Sequence, residues 1–251
     1  MKSKILVGNI IEEGRLGGPQ FRIMVLAKHM DEYFSGERFD PHKENQIETT
    51  VVFPKRDSIK FQEALKQNKI KNHPIALNRL SLEKKALVRY GVGFFFEILL
   101  LIKLFKHKKF DVLHVSGGAW QFKGAIAAKL SGIKVLWHLN DTGMPEIFKS
   151  IFKKFSPLLA DGIIVSGNRV KTFYELDYFK KPIFLVRPPV DTSYFKDSDA
   201  KIDNGMDNPG KLNIVTIGNI NPFKGLEFFI EAAGYLTSKY ENLVFYIVGN
   251  T

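Results

Sequence analysis

Six short apolar runs limit what this chain can fold into: KILVGNI, TTVVFP, DVLHVSG, IKVLWHL, GIIVSG and PIFLVRP. Each is mostly aliphatic or β-branched and is bounded by Gly, Pro, Asn or Asp. A strand with one wet face alternates apolar and polar residues, whereas a strand covered on both faces reads as a continuous apolar run. Between the runs, PQFRIMVLAKHMDEYF, KGAIAAKLSG and SGNRVKTFYEL carry helical patterns. Repeated βα units define an α/β fold class with a doubly wound parallel sheet, which binds ligands beyond the carboxyl ends of its strands. The first run follows a basic tip, MKSK, but Gly8, Asn9, Glu12 and Glu13 interrupt it, so it reads as a strand and not as a signal peptide.

The organisation changes near residue 190. Residues 1–190 hold the βα units, and 191–210 (beginning DTSYFKDSDAKIDNGMDN) are rich in Asp, Asn, Ser and Gly, as expected of an exposed linker. In 211–251, LNIVTIG reads as a strand, LEFFIEAAGYLTSKY as a helix and LVFYIVG as a strand. One βαβ unit alone leaves sheet edges and an apolar face uncovered, so 211–251 read as the opening of a second Rossmann-like domain. Charge divides at nearly the same place. Residues 1–187 carry 32 Lys and Arg against 18 Asp and Glu, a net of +14, and the remainder carries 5 against 8, a net of −3. A first domain this basic attracts phosphates, on nucleotide-linked substrates or lipid head groups. A nucleic-acid partner is not expected: the basic residues are dispersed, and no zinc or RNA-binding signature accompanies them. With no cysteine, disulfides and thiolate metal sites are excluded, which suits a reducing, cytoplasmic setting.

FFFEILLLIKLFKHKKF, Phe94 to Phe110, has two readings. It is too short an apolar stretch to span a bilayer, which takes about 20 residues. It fits a buried helix feeding the strand DVLHVS. It also fits a helix whose apolar side, edged by Lys103, Lys106, Lys108 and Lys109, rests on an anionic membrane surface.

Three places carry candidate chemistry. Gly17-Gly18 separates the first strand from a helix, a setting in which backbone amides approach an anion and the helix terminus adds positive charge. The sequence there, EEGRLGGPQ, lacks the GxGxxG dinucleotide fingerprint, which weakens a dehydrogenase reading. In WHLND, His138 and Asn140 share one strand face and Asp141 follows at the exit, where α/β proteins place their chemistry. In IGNINPFKG, Lys224 stands at the start of a helix, placed to neutralise a diphosphate.

Taken in order, the Gly17-Gly18 turn, FDVLHVSGG, WHLND, ADGIIVSGNRVK, VRPPVDTSYF and IGNINPFKGLEFFIEAAGYL resemble the retaining glycosyltransferases of family 4, which have the two-domain GT-B architecture. The resemblance runs along essentially the whole chain. It implies an N-terminal domain that binds a glycan or lipid-linked acceptor, a C-terminal domain that grips a nucleotide sugar, and transfer with retention in a cleft between them. It further implies a donor diphosphate held by Gly17 and Gly18 on one side and by the positions of Asn219 and Lys224 on the other. Neither a metal nor another cofactor is implied, because basic residues stabilise the departing diphosphate. A role in cell-surface polysaccharide synthesis, in the cytoplasm or at the inner face of the cell membrane, follows from the same resemblance.

Departures from the family pattern are specific. Asn219 stands where the family has Arg, leaving Lys224 as the remaining cation of that pair. Asn140-Asp141 stand where it has His-Asp, with His138 two positions earlier, and these three are the candidate catalytic residues. Pro188-Pro189 replace Asn-Gly and stiffen the approach to the linker. The family's E-x7-E glutamates find no counterpart after Lys224, so the chain reads as a fragment that is inactive alone. The competing expectation is a non-catalytic basic module that binds membrane or glycan.

Overall fold

The computed structural model describes residues 4–35, 46–81, 83–190, 192, 210–220 and 224–249. The chain divides into two compact units, Met1–Thr192 and Ser193–Thr251. Of the expected linker, all but residues 192 and 210 lies outside the described residues.

In the first unit the apolar runs become strands of one parallel sheet. They are β1 (Lys4–Ile10), β2 (Gln46–Pro54), β3 (Asn72–Ile75), β4 (Val112–Val115), β5 (Lys134–Leu139), β6 (Gly162–Val165) and β7 (Ile183–Leu185). Their order is β3-β2-β1-β4-β5-β6-β7. The chain steps outward from β1 to β3 and then returns to the other side of β1, as the doubly wound reading requires. In register, Asn9 pairs with His114 and Ile10 with Val115, which sets the two central strands side by side at their carboxyl ends.

The helices are α1 (Gly18–Ser35), α2 (Ile59–Gln67), α3 (Lys84–Lys108), α4 (Phe122–Leu130), α5 (Glu146–Leu159) and α6 (Asn168–Phe173). Side chains alternate along each strand, so the sheet builds a core on each face. Val51 and Phe53 pack in one cluster with Ile23 and Ala27 of α1 and Phe61 and Leu65 of α2. Val52, Leu113, Val115 and Trp137 belong to a larger cluster with Leu101 and Phe105 of α3, Ala125 of α4 and Phe152 of α5. This two-sided cover is the reason that the strands could be apolar throughout.

The Phe94–Phe110 segment belongs to a longer helix with a buried side, as the first of its two readings expects. α3 begins well before Phe94 and buries Tyr90, Ile98, Leu101, Leu104 and Phe105. On its other side Val88, Val92, Phe95, Phe96 and Leu99 are exposed. Lys106 and Lys108 lie in its last turn, so that basic edge and the exposed apolar face occupy different stretches of the axis. No helix among the described residues is long and apolar enough to cross a membrane.

The second unit is β8 (Leu212–Ile217), α7 (Leu226–Thr237) and β9 (Leu243–Val248). β8 and β9 pair in parallel, and no residue of α7 is buried. It is one βαβ unit with its apolar residues largely uncovered, among them Ile217, Phe228 and Ile230. The first unit is a Rossmann-like doubly wound domain and the second a single parallel βαβ unit, the α/β class read from the sequence.

Candidate functional site

After β1 the chain turns to one face of the sheet through α1, and after β4 it turns to the other through α4. The two connections therefore part at the carboxyl edge and leave a crevice, the position where open α/β sheets bind ligands. Gly17-Gly18 lie there. α1 starts at Gly18, and a Cβ built on Gly18 meets no heavy atom within 4 Å, so open space surrounds the residue. The first N–H groups of a helix have no carbonyl to bond within it, and with the helix dipole they present partial positive charge to that space.

Behind this helix end lies a buried chain of hydrogen bonds. Arg22, in the second turn of α1, donates from Nη2 to Ser116 Oγ at 2.6 Å and from Nη1 to His138 Nε2 at 3.3 Å. His138 Nδ1 meets His114 Nε2 at 3.0 Å, and His114 Nδ1 meets Asn9 Oδ1 at 2.8 Å. Asn9 Nδ2 in turn donates to Thr49 Oγ1. One assignment of protons satisfies every link. A guanidinium only donates, so His138 accepts at Nε2 and carries its proton on Nδ1. His114 then accepts at Nε2 and donates from Nδ1 to the Asn9 carbonyl. Both rings are neutral in this arrangement. Burial, reinforced by the Arg22 charge, holds His114 down to about 3 and His138 down to about 2.

The sequence reading put His138 among the catalytic groups, on one strand face with Asn140. In the structure His138 is buried with both ring nitrogens engaged, while β5 ends at Leu139 and Asn140 and Asp141 lie in the following connection. Asn140 Oδ1 is buried and makes no hydrogen bond. Asp141 Oδ1 accepts from the Gly143 N–H at 3.2 Å, and burial raises its carboxyl above the usual range despite that bond. Both border a second glycine pair, Gly117-Gly118, where the backbone adopts φ of +109° and +89°. The positive φ of Gly118 favours glycine, and the Asp141 carboxylate lies against the place where a Cβ would be. Its carbonyl accepts from Trp137 Nε1 at 3.0 Å and its N–H donates to the His138 carbonyl at 3.1 Å, which ties the β4 and β5 connections together.

A buried ionic cluster underlies the same edge. Lys123, at the start of α4, is fully buried, 2.5 Å from Glu97 Oε2 of α3 and 3.6 Å from Glu12 Oε2. It also donates to the Asn78 carbonyl and stands 4.1 Å from the centre of the Tyr90 ring. Glu97 Oε2 accepts from the Asn78 N–H at 3.1 Å, and Glu12 Oε1 accepts from the Gly124 N–H at 3.0 Å. Burial outweighs the Lys123 charge at Glu12 and raises its carboxyl. The connections after β1, β3 and β4 are thus bound to α3 through one ammonium.

In the second unit, Asn219 and Lys224 are exposed near the carboxyl end of β8, and the Lys224 side chain runs within 3.8 Å of the Cβ position of Gly218. Gly225, at φ +64°, caps the N-terminus of α7. The Lys224 ammonium makes no ion pair among the described residues. Nor do the described residues bring together three or more His, Asp or Glu side chains that could hold a metal.

Missed in the sequence were Asn9, Arg22, His114, Ser116 and Gly117-Gly118. A signal existed for some of them: LVGNI, VLHV and LWHL each set one polar residue inside an otherwise apolar central strand. A buried polar group needs a partner, so polar residues on neighbouring strands point to one another.

No protein-family model matches the chain, and no curated protein matches it. Solved structures do. HepE of Anabaena, in complex with UDP-glucose, aligns with a TM-score of 0.70 at 15% identity, over 98% of this chain and 61% of that one. A glycosyltransferase from Rickettsia africae ESF-5 aligns at 0.63 and 16% identity, over 98% of this chain and 60% of that one. A UDP-N-acetylglucosamine 2-epimerase aligns at 0.56 and 17% identity, over 98% and 61%. At such identities the likeness is one of fold. The chain spans about three fifths of the length of these structures.

Proposed function

We propose that this chain belongs to a nucleotide-sugar-dependent glycosyltransferase that moves a sugar to a glycan or lipid-linked acceptor with retention, in cell-surface polysaccharide synthesis. The observation that carries the reading is the crevice between β1 and β4. An open helix N-terminus faces it, and behind that terminus lies a cation, Arg22, with no ion-pair partner among the described residues. A buried cation left without a counter-charge costs free energy unless an anion offsets it. A donor diphosphate at Gly17-Gly18 supplies that anion. The family resemblance gives Lys224 the task of neutralising a departing diphosphate, which would make a metal unnecessary. Asn140 and Asp141 lie on the sugar or acceptor side of the site, and burial raises the Asp141 carboxyl above its usual range. His138 acts as a positioning residue that fixes Arg22.

A second reading, a non-catalytic basic module on an anionic membrane surface, draws on the exposed apolar face of α3. The two differ in diphosphate affinity. Titration calorimetry with pyrophosphate and with UDP tests this, because pyrophosphate reports the site whichever base the donor carries. Gly18→Leu is expected to keep the melting temperature, since open space receives the side chain, and to weaken both ligands at least about tenfold by blocking the helix end. Lys224→Ala is expected to weaken them by a smaller factor. Failure of either ligand to bind, or binding indifferent to Gly18→Leu, would remove the transferase reading and favour the membrane module.

A further inference from the structure

The exposed side of α3 has a definite shape and chemistry. Val88, Val92 and Phe96 are spaced four apart and so form one stripe along the helix. They are 65%, 83% and 65% exposed, although contiguous apolar surface of this kind normally marks a place that something covers. The stripe is one wall of an open trough of about 770 Å3, whose other wall is the chain following β2 and β3. That volume is within the range of small-molecule sites.

The trough is apolar along its length and basic at its rim. Lys55, Arg56 and Arg89 line it, and none forms an ion pair among the described residues. Its one acid, Glu97, is already committed to Lys123 and Asn78. At Arg56, Asn78 and Arg89 the trough meets a smaller cavity of about 140 Å3, which reaches Glu13 and Gly14 in the connection after β1. The basic end therefore adjoins the connection after β1, where Glu13, Asp57 and Glu83 also line the smaller cavity, and the apolar stripe lies beyond it.

We propose that this trough binds the acceptor and that the acceptor is an anionic amphiphile. A phosphate-bearing head lies against Arg56 and Arg89, and a hydrocarbon chain lies along Val88, Val92 and Phe96. A free glycan suits the trough poorly, because an aliphatic wall offers its hydroxyls no partner. A flat bilayer surface would meet the stripe without entering the concavity or reaching Arg56. Naming the ligand as the acceptor rests on the transferase reading above, whereas the binding of the amphiphile does not.

Titration of the chain with dodecyl phosphate, kept below its aggregation concentration and without nucleotide, tests the proposal. Inorganic phosphate and dodecyl maltoside serve as comparisons. Dodecyl phosphate is expected to bind more tightly than either. Arg56→Gln and Arg89→Gln are each expected to weaken it about tenfold, the worth of one charge-assisted hydrogen bond. Val92→Glu, on a side chain too exposed to matter for folding, is expected to weaken it at least as much. Lys134→Gln, at the amino end of β5, is expected to change nothing. Equal binding of dodecyl maltoside, equal binding of inorganic phosphate, indifference to the three trough variants, or association with anionic vesicles but not with monomeric dodecyl phosphate would each overturn it. Amphiphile binding without pyrophosphate binding would leave the trough standing and remove the transferase reading. The reverse pattern would remove the trough alone.

Discussion

Lys123→Met is expected to destabilise the first unit by about 3–5 kcal/mol at neutral pH, the usual cost of removing one partner from a buried ionic cluster. Methionine fills nearly the same volume, so packing contributes little and the effect is electrostatic. Lys123 is the cation between Glu97 and Glu12, both almost wholly buried. Without it, two carboxylates share a dry space with only N–H donors to offset them. Urea unfolding measures the loss. Changing Glu12 and Glu97 to Gln as well is expected to recover most of it, because the charges left uncompensated are then gone. A cost below about 1 kcal/mol for Lys123→Met, or no recovery in the triple variant, would show that the cluster does not hold the site's connections together.

That cluster also shows where sequence reading reached its limit. The strands were legible because burial on both faces leaves a one-dimensional trace, the unbroken apolar run. β8, α7 and β9 were legible for a related reason: a strand pattern, a Lys-Gly turn and a helical pattern follow in order. Lys123 sits in FKGAIAAKL, where nothing distinguishes it from a solvated lysine. Its partners are remote, Glu12 and Glu97, and only the winding of the sheet brings them together. The same holds for Arg22, one basic residue among many in the first domain until α1 packs it against β4 and β5. Local patterns specify elements, and long-range packing decides which polar side chains are buried. At WHLND the local rule misled in one detail. Strand alternation places His138 and Asn140 on one face only while the strand continues, and β5 ends at Leu139. The histidine therefore lies within the strand and the asparagine in the connection that follows it, which divides the expected cluster.

Structures described as a glycosyltransferase and as a 2-epimerase share this architecture. A transferase must hold a second substrate, whereas an epimerase acts on the donor alone. Under the transferase proposal, the apolar trough with its basic rim is where that second substrate would lie.

Acid is expected to unfold the first unit through His114 and His138, and the sign follows from their neutral, buried state. In the folded chain they resist protonation down to about 3 and about 2. In the unfolded chain they take up protons near 6.5. Between those limits the unfolded state binds more protons, so stability falls as pH falls, by about 1.4 kcal/mol per pH unit for each ring. The contribution is fully present above about pH 7, and together the pair is expected to lose about 4 kcal/mol by pH 5. Glu12 and Asp141, whose carboxyls are raised in the fold, act in the opposite direction and recover part of it as pH falls through their own range. Comparison with a variant isolates the histidines. In His138→Gln, an amide replaces one ring and one titration, so the difference in stability from the parent should shrink by about 1.4 kcal/mol for each pH unit below 6.5. Urea unfolding at pH 7, 6 and 5 measures it, and parallel pH profiles for the two proteins would refute it. In folded molecules His138 stays neutral throughout this interval and goes on accepting from Arg22 at Nε2. The histidines are therefore expected to change how much protein is folded between pH 7 and 5, and not how the folded chain holds Arg22 behind the helix terminus.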